Sequence, residues 1–296
     1  MRILLYVLGM MVLAQTCGKE ATQIPVDYTE RIEAWRTERI EKLTATDSWL
    51  SLAGLYWLKP GANAFGSDSA NALVFPQKAP GKIGAFYRQK DSVWVEIDPS
   101  VRVWDKDSNA VRVQPLTGRD SALTMQHESL SWFLIERGGQ FGIRLRDSRH
   151  ERLTSFTGID YFPIDPAWRV SARLQPVSPP DTILIRNVVD MQIPLPTEGQ
   201  LLFELDGRSH AVTVLDGGPE EYFLIFMDAT SGKETYPAGR YLYVPKAGED
   251  GTTYIDFNKA YNPPCAFTEF ATCLLPPPEN RLDLAVRVGE KDYGTH

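Results

Sequence analysis

Histidine and cysteine are scarce in this chain of 296 residues, with four of the first and three of the second. No pair of them has zinc-site spacing, and His127-Glu128 and His150-Glu151 both lack the second histidine of a His-Glu-x-x-His motif. A Gly-x-Ser-x-Gly elbow is also missing. Gly232-Lys233 is followed by Glu234, and Met227 stands where a phosphate loop needs its first glycine. No metal and no cofactor are therefore expected. A Ser-His-Asp triad stays open, since its members come from distant positions, but nothing in the sequence favours one. Positive charge is short as well: 31 Lys+Arg face 38 Asp+Glu, a net charge of −7. Nucleic acid is thus not an expected partner, because phosphate-backbone binding needs a basic face. No apolar run is long enough to span a bilayer. Ile3 to Ala14 would make a helix of about 18 Å against a hydrocarbon core of about 30 Å.

That short run, preceded by Met1-Arg2, reads as a signal peptide over residues 1–16. Leu13-Ala14-Gln15-Thr16-Cys17 resembles a bacterial lipoprotein signal, which implies lipidation of Cys17, a tether over 17–26, and a location in the cell envelope facing the periplasm or exterior. The membrane is then a partner through the N-terminal lipid. The other reading is plain secretion, with Cys17 a free thiol.

Asp27 and Glu30 have capping-box spacing, and Tyr28, Ile32, Trp35, Ile40 and Leu43 form an apolar stripe, so a helix is predicted within 27–46. Beyond Trp49, short alternating segments are separated by turn residues. Ser131 to Arg137 and Phe141 to Leu145 flank Gly138-Gly139 as a hairpin, with Phe133 and Ile135 placed on one face. Asp206-Gly207 joins Leu201–Leu205 to His210–Leu215 in a second hairpin, Tyr222 to Met227 reads as a central strand, and Arg240–Val244 and Thr252–Phe257 read as a strand pair. Pro163, Pro166, Pro176, Pro179 and Pro180 make the middle loop-rich. The expected fold is all-β and mostly antiparallel: an N-terminal helix, a β-sandwich lobe over 47–150, and a second β lobe over 151–296 with a Pro-rich C-terminal loop.

The tail carries Asp256-Phe257-Asn258-Lys259-Ala260-Tyr261-Asn262-Pro263-Pro264-Cys265, then Ala271-Thr272-Cys273 and Pro276-Pro277-Pro278-Glu279-Asn280-Arg281-Leu282. With Trp49 to Leu55, Gly142 to Asp147, Tyr161 to Asp165 and Thr230 to Tyr236, it resembles the bacterial and archaeal family called domain of unknown function 1684. The resemblance implies location and domain extent and brings no reaction with it. Residues Trp49 to Arg149 also resemble a forkhead-associated sandwich, although Ser67 stands where that fold's phosphopeptide-reading Arg would be.

Cys265 and Cys273, eight apart, suggest a disulfide in an exported protein. The rival readings are a thiolate nucleophile, with Lys259 the nearest cation, and a metal site lacking two ligands. Around them lie Asp256, Asn258, Lys259, Tyr261, Asn262, Glu279, Asn280 and Arg281, among prolines that stiffen the backbone. These residues either form a site or satisfy the backbone of an irregular loop. Arg144, with Arg146 and Asp147, ends the Gly138-Gly139 hairpin as a candidate ligand clamp. The expectation is an envelope binding or scaffold protein for a small molecule, glycan or peptide. The alternative is a hydrolase with Asp256 and Glu279 as its carboxylate pair.

Overall fold

The computed structural model describes residues 24–117 and 123–294, so Cys17 and most of the 17–26 tether lie outside the described residues. The helix is α1 (Tyr28–Thr44), and it buries Tyr28, Ile32 and Leu43. The expected capping box does not form. Asp27 takes φ −93° and ψ 24°, outside the extended region that aims an N-cap oxygen at the first turn, and its carboxylate pairs with Arg31 instead at 2.9 Å. Ala45 turns to extended backbone and ends the helix. Among the described residues no helix is long and apolar enough to cross a membrane.

The first lobe contains β1 (Leu52–Trp57), β2 (Gly61–Gly66), β3 (Leu73–Val74), β4 (Gly84–Gln89), β5 (Ser92–Ile97), β6 (Trp104–Asp105), β7 (Val113–Leu116), β8 (Met125–His127), β9 (Leu130–Arg137) and β10 (Gln140–Asp147). They form two five-stranded sheets, in the orders β1-β10-β9-β8-β6 and β3-β2-β4-β5-β7. One apolar core joins the two sheets, centred on Phe65, Phe75, Phe86 and Trp132, with Phe65 and Phe86 centroids 4.4 Å apart.

In the hairpin β9–β10, Phe133 and Ile135 share one face as expected, but that face is not the one turned to the first core. Ile143 and Leu145 pair with Leu134 and Trp132, and these four residues face the core. Phe133 and Ile135 pair with Arg144 and Gly142 on the opposite face. That face is also covered: Ile135 is buried outside the first core, and so is Arg144. A central strand with both faces covered lacks the simple in-and-out alternation of a half-exposed one.

After α2 (Glu151–Ser155), the second lobe contains β11 (Arg169–Arg186), β12 (Gln192–Leu205), β13 (Arg208–Asp216), β14 (Glu221–Phe226), β15 (Arg240–Pro245) and β16 (Thr252–Asp256), in one sheet of order β15-β14-β13-β12-β11-β16. The β12–β13 turn has positive φ at both Asp206 (52°) and Gly207 (70°), as a two-residue hairpin with the strands' own twist requires. Of the prolines expected in loops, Pro163 lies in irregular backbone and Pro166 opens a short turn, whereas Pro176, Pro179 and Pro180 belong to β11. Its pairing with β12 breaks between Pro176 and Asp181, where a missing ladder donor does no harm. The expected β15–β16 pair is corrected too. These strands occupy opposite edges of a sheet that curls until the edges approach, with Gly248 N donating to Thr252 O (2.9 Å) and Thr253 Oγ1 to Pro245 O (2.7 Å).

The interior of the curl holds the second core, from Val170 and Leu201 to Phe257 and Val288. Residues 257–294 continue without strands and send Phe257, Ala260, Leu282, Val286 and Val288 into that core. Leu43, Leu50, Tyr236 and Phe267 form a further apolar cluster that ties α1 and the turn before β1 to this tail.

Candidate functional site

Most polar residues of the tail are engaged in holding the chain together. Asp256 accepts from the Tyr28 hydroxyl (2.7 Å) and from Asn258 N (3.2 Å). Burial, then the adjacent Asp256 charge, pushes the Tyr28 hydroxyl well above its ordinary range, so it stays a neutral donor. Asn258 is wholly buried. Its Oδ1 accepts from Asp165 N, and its Nδ2 donates to Asp165 O and Tyr28 Oη, each at 2.9 Å. Asn262 donates through N to Glu290 Oε2 (2.6 Å) and through Nδ2 to Lys291 O (2.7 Å).

Asn280 sits where β13 and β14, paired only at Leu215–Phe223 and Asp216–Tyr222, part from each other. Its amide accepts from Thr213 N (2.7 Å) and donates to Thr213 O and Ile225 O (2.8 Å each), replacing the missing ladder. Beneath the tail, Arg240 is fully buried. It donates to Asp228 Oδ2 (2.9 Å), Val286 O (2.7 Å), Val288 O (2.6 Å) and Glu290 O (3.3 Å). These contacts are the backbone accounting that a long irregular segment demands.

The open chemistry lies elsewhere, between the lobes. A cavity of about 380 Å³ is walled on the first lobe by Arg137, Gly138 and Arg144 and on the second by Ile193, Leu195 and the 271–274 segment, with Trp49 and Tyr241 at its edge. It shares Trp49, Tyr241 and Pro264 with a second cavity of about 310 Å³, which contains Trp35, Tyr243 and Tyr261. That one shares Trp35, Tyr243 and Tyr261 with a third, of about 340 Å³, reaching Tyr254, Asp256 and Lys259. Together they form one aromatic cleft. Tyr243 and Tyr261 stack nearly parallel (14°, centroids 6.2 Å), and Arg39 lies 4.7 Å from the Tyr261 ring centre. Burial, then the neighbouring Tyr243, raises the Tyr261 hydroxyl well above its usual value.

Arg144 is 5% exposed, and its Nε has no hydrogen-bond partner. It lies 5.7 Å from the Trp49 ring centre, and among the described residues no carboxylate pairs with it. Burial first, then repulsion from Arg137 and Arg146, lowers it to about 10, so it remains a cation at neutral pH.

Of the residues expected from sequence, Arg144, Asp256, Lys259 and Tyr261 line this cleft, whereas Asn258, Asn262 and Asn280 do not. Glu279 is exposed and accepts from Thr213 Oγ1 (3.2 Å), and Arg281 is exposed beside it; neither joins the cleft. The two carboxylates are therefore not brought into one cavity. Cys265 and Cys273 are bonded as a disulfide, with Cα atoms 6.1 Å apart, and Cys273 lines the cavity beside Arg144. Among the described residues no group of three His, Cys, Asp or Glu is placed to hold a metal ion.

Sequence reasoning missed Trp35, Trp49, Tyr241, Tyr243 and Arg137. Tyr241 and Tyr243 alternate along β15, a signal visible in the sequence; Trp35 stands in the apolar stripe of the helix and Trp49 opens a motif, and neither pattern separates a cleft ring from a core one. Tyr161, Trp168 and Tyr236 lie outside the cleft, packed against Arg36 (4.4 Å), against Phe257 (6.1 Å), and in the cluster around Leu43.

The fold and cleft define a two-lobed, mostly antiparallel β protein whose aromatic crevice starts between the sandwich and the curled sheet and continues between α1 and the curled sheet. Residues 154–291 match the family described as "Protein of unknown function (DUF1684)", and the chain belongs to that family. The match takes in the second lobe and nearly all of the tail and does not include Trp49–Leu55 or Gly142–Asp147, which also resemble the family. A solution NMR structure of an uncharacterized protein from Haloarcula marismortui is 31% identical, over 48% of this chain and 80% of that one, with a TM-score of 0.40. No curated protein matches the chain.

Proposed function

We infer that this is a binding protein of the cell envelope, held to the membrane by a lipid on Cys17, which takes a small molecule, glycan or peptide into the aromatic cleft. The observation that carries this reading is the continuity of the cleft, with aromatic rings along it and neighbouring cavities of about 310–380 Å³. Ligand sites are concave, largely apolar and of roughly 300–1,000 Å³, with few polar groups. Rigid rings on two strands and a helix bind flat ligand faces with little entropy left to lose. The separation of Asp256 from Glu279, and the engagement of Asp256 with Tyr28 and Asn258, support a binder over a hydrolase with that pair.

The test is a ligand-observed NMR screen of glycans, peptides and fragments against the full chain and a Trp35→Ala, Tyr243→Ala double variant. Ligands should bind the wild type and lose at least tenfold in affinity on the variant. Equal binding to both proteins, or no binding at all, would reject the cleft. The anchor is tested separately: the wild type should fractionate with membranes carrying acylated Cys17, and Cys17→Ala should be soluble. An unmodified soluble wild type would remove the lipid.

A further inference from the structure

The cleft is not uniform along its length. Its Tyr261 end has charges of both signs, with Glu38, Lys42, Lys259 and Asp256 close together. Its Arg144 end has Arg144 and Arg137 with a single acid, Glu136, and Arg146 adds repulsion from two residues away. A buried cation without a partner is costly, and folded proteins ordinarily pair it or give it several carbonyl acceptors. Arg240, in the same molecule, has both. Among the described residues Arg144 has neither, although it sits on a central strand covered from both sides. Trp49 spreads over one flank of it, while Ile193, Leu195, Ala271 and Leu274 supply apolar walls beyond. A guanidinium in such surroundings is prepared for a planar oxyanion, which it can hold through two parallel N–H donors.

We propose that the Arg144 end of the cleft binds the oxyanion of a small ligand, a carboxylate or phosphate carried on a flat apolar body, with Arg144 as its main holder and Arg137 as a second donor. This rests on the reading of the cleft as a ligand site, and it names the chemistry of one end. The apolar body lies between Trp49 and the Ile193–Leu195 strand, and the disulfide-closed segment at Cys273 forms the floor. The site exists only between the lobes, since Arg144 comes from β10 and the apolar wall from β12 and the tail.

The experiment measures binding of 2-naphthoate, 2-naphthyl phosphate and the neutral 2-naphthamide to the full chain by calorimetry, with Arg144→Met and Arg137→Gln variants alongside. At least one anion should bind ten times or more tighter than the amide, and which anion it is separates carboxylate from phosphate recognition. Arg144→Met should lose that preference while melting at an unchanged or higher temperature, and Arg137→Gln should lose two- to fivefold. Equal binding of all three compounds overturns the oxyanion site and leaves the cleft intact as a binding surface. Binding of none of them overturns it as well, with the screen against Trp35 and Tyr243 still deciding the cleft. Should Arg144→Met fail to fold, the anion-to-amide ratio on the wild type and on Arg137→Gln decides alone.

Discussion

Two buried arginines of this protein stand in opposite circumstances. Arg240 opens β15 with no exposure and meets a carboxylate and three carbonyls. Arg144 sits in the middle of β10 at 5% exposure and meets an aromatic ring. The first is part of the fold's polar accounting: Asp228, to which it is bonded, also accepts from Thr230 and from Val286 N, so one cluster fastens the tail to the sheet. The second solves no backbone problem, and among the described residues no carboxylate or carbonyl offsets its desolvation cost. Residue type is the same, and burial is nearly the same. What differs is whether acceptors converge on the charge, and that difference separates a structural cation from one left available to a ligand.

The contrast yields expectations that run from large to small. Asp228→Ala should lose about 3–5 kcal/mol in urea denaturation, because it strands the Arg240 charge in an apolar interior. A loss below about 1 kcal/mol would mean that the carbonyls alone suffice and that the comparison is misdrawn. Asn280→Ala should cost about 2–3 kcal/mol by the same measurement, since Thr213 and Ile225 would keep buried backbone groups without partners. Arg144→Met should be neutral or gain about 1 kcal/mol, which thermal and urea melts can both follow. A destabilisation as large as that of Asp228→Ala would place Arg144 with the structural residues. Glu279→Ala should stay within about 0.5 kcal/mol, as an exposed carboxylate with one hydroxyl partner has little to lose.

The tail residues show how far local reading reaches. That Asn258 satisfies backbone is legible in its position between a strand end and a turn. That Asn280 does so is not, because its three partners lie 55 and 67 residues away in sequence. Glu279 and Asn280 are neighbours, yet one faces solvent and the other is buried; a one-residue change of direction after three prolines decides it. Arg144 stood out in the sequence as a charged strand end. Its solitude depends on the second lobe covering the outer face of β9 and β10, which no alternation within the hairpin announces.

Composition, turn residues and the tail motifs determined that the chain is mostly antiparallel β behind one helix, and they determined the family. Local forces suffice for those: the 17-residue amphipathic helix, the Asp206-Gly207 turn and the apolar strand at Tyr222–Phe226 each follow from neighbours a few residues apart. Which strands share an edge, which face of β9 points to the core, and which polar groups are satisfied were decided only by the packing of lobe on lobe. Those are pairings between residues scores of positions apart, and whether a buried charge has a partner depends on the three-dimensional arrangement of all of them at once.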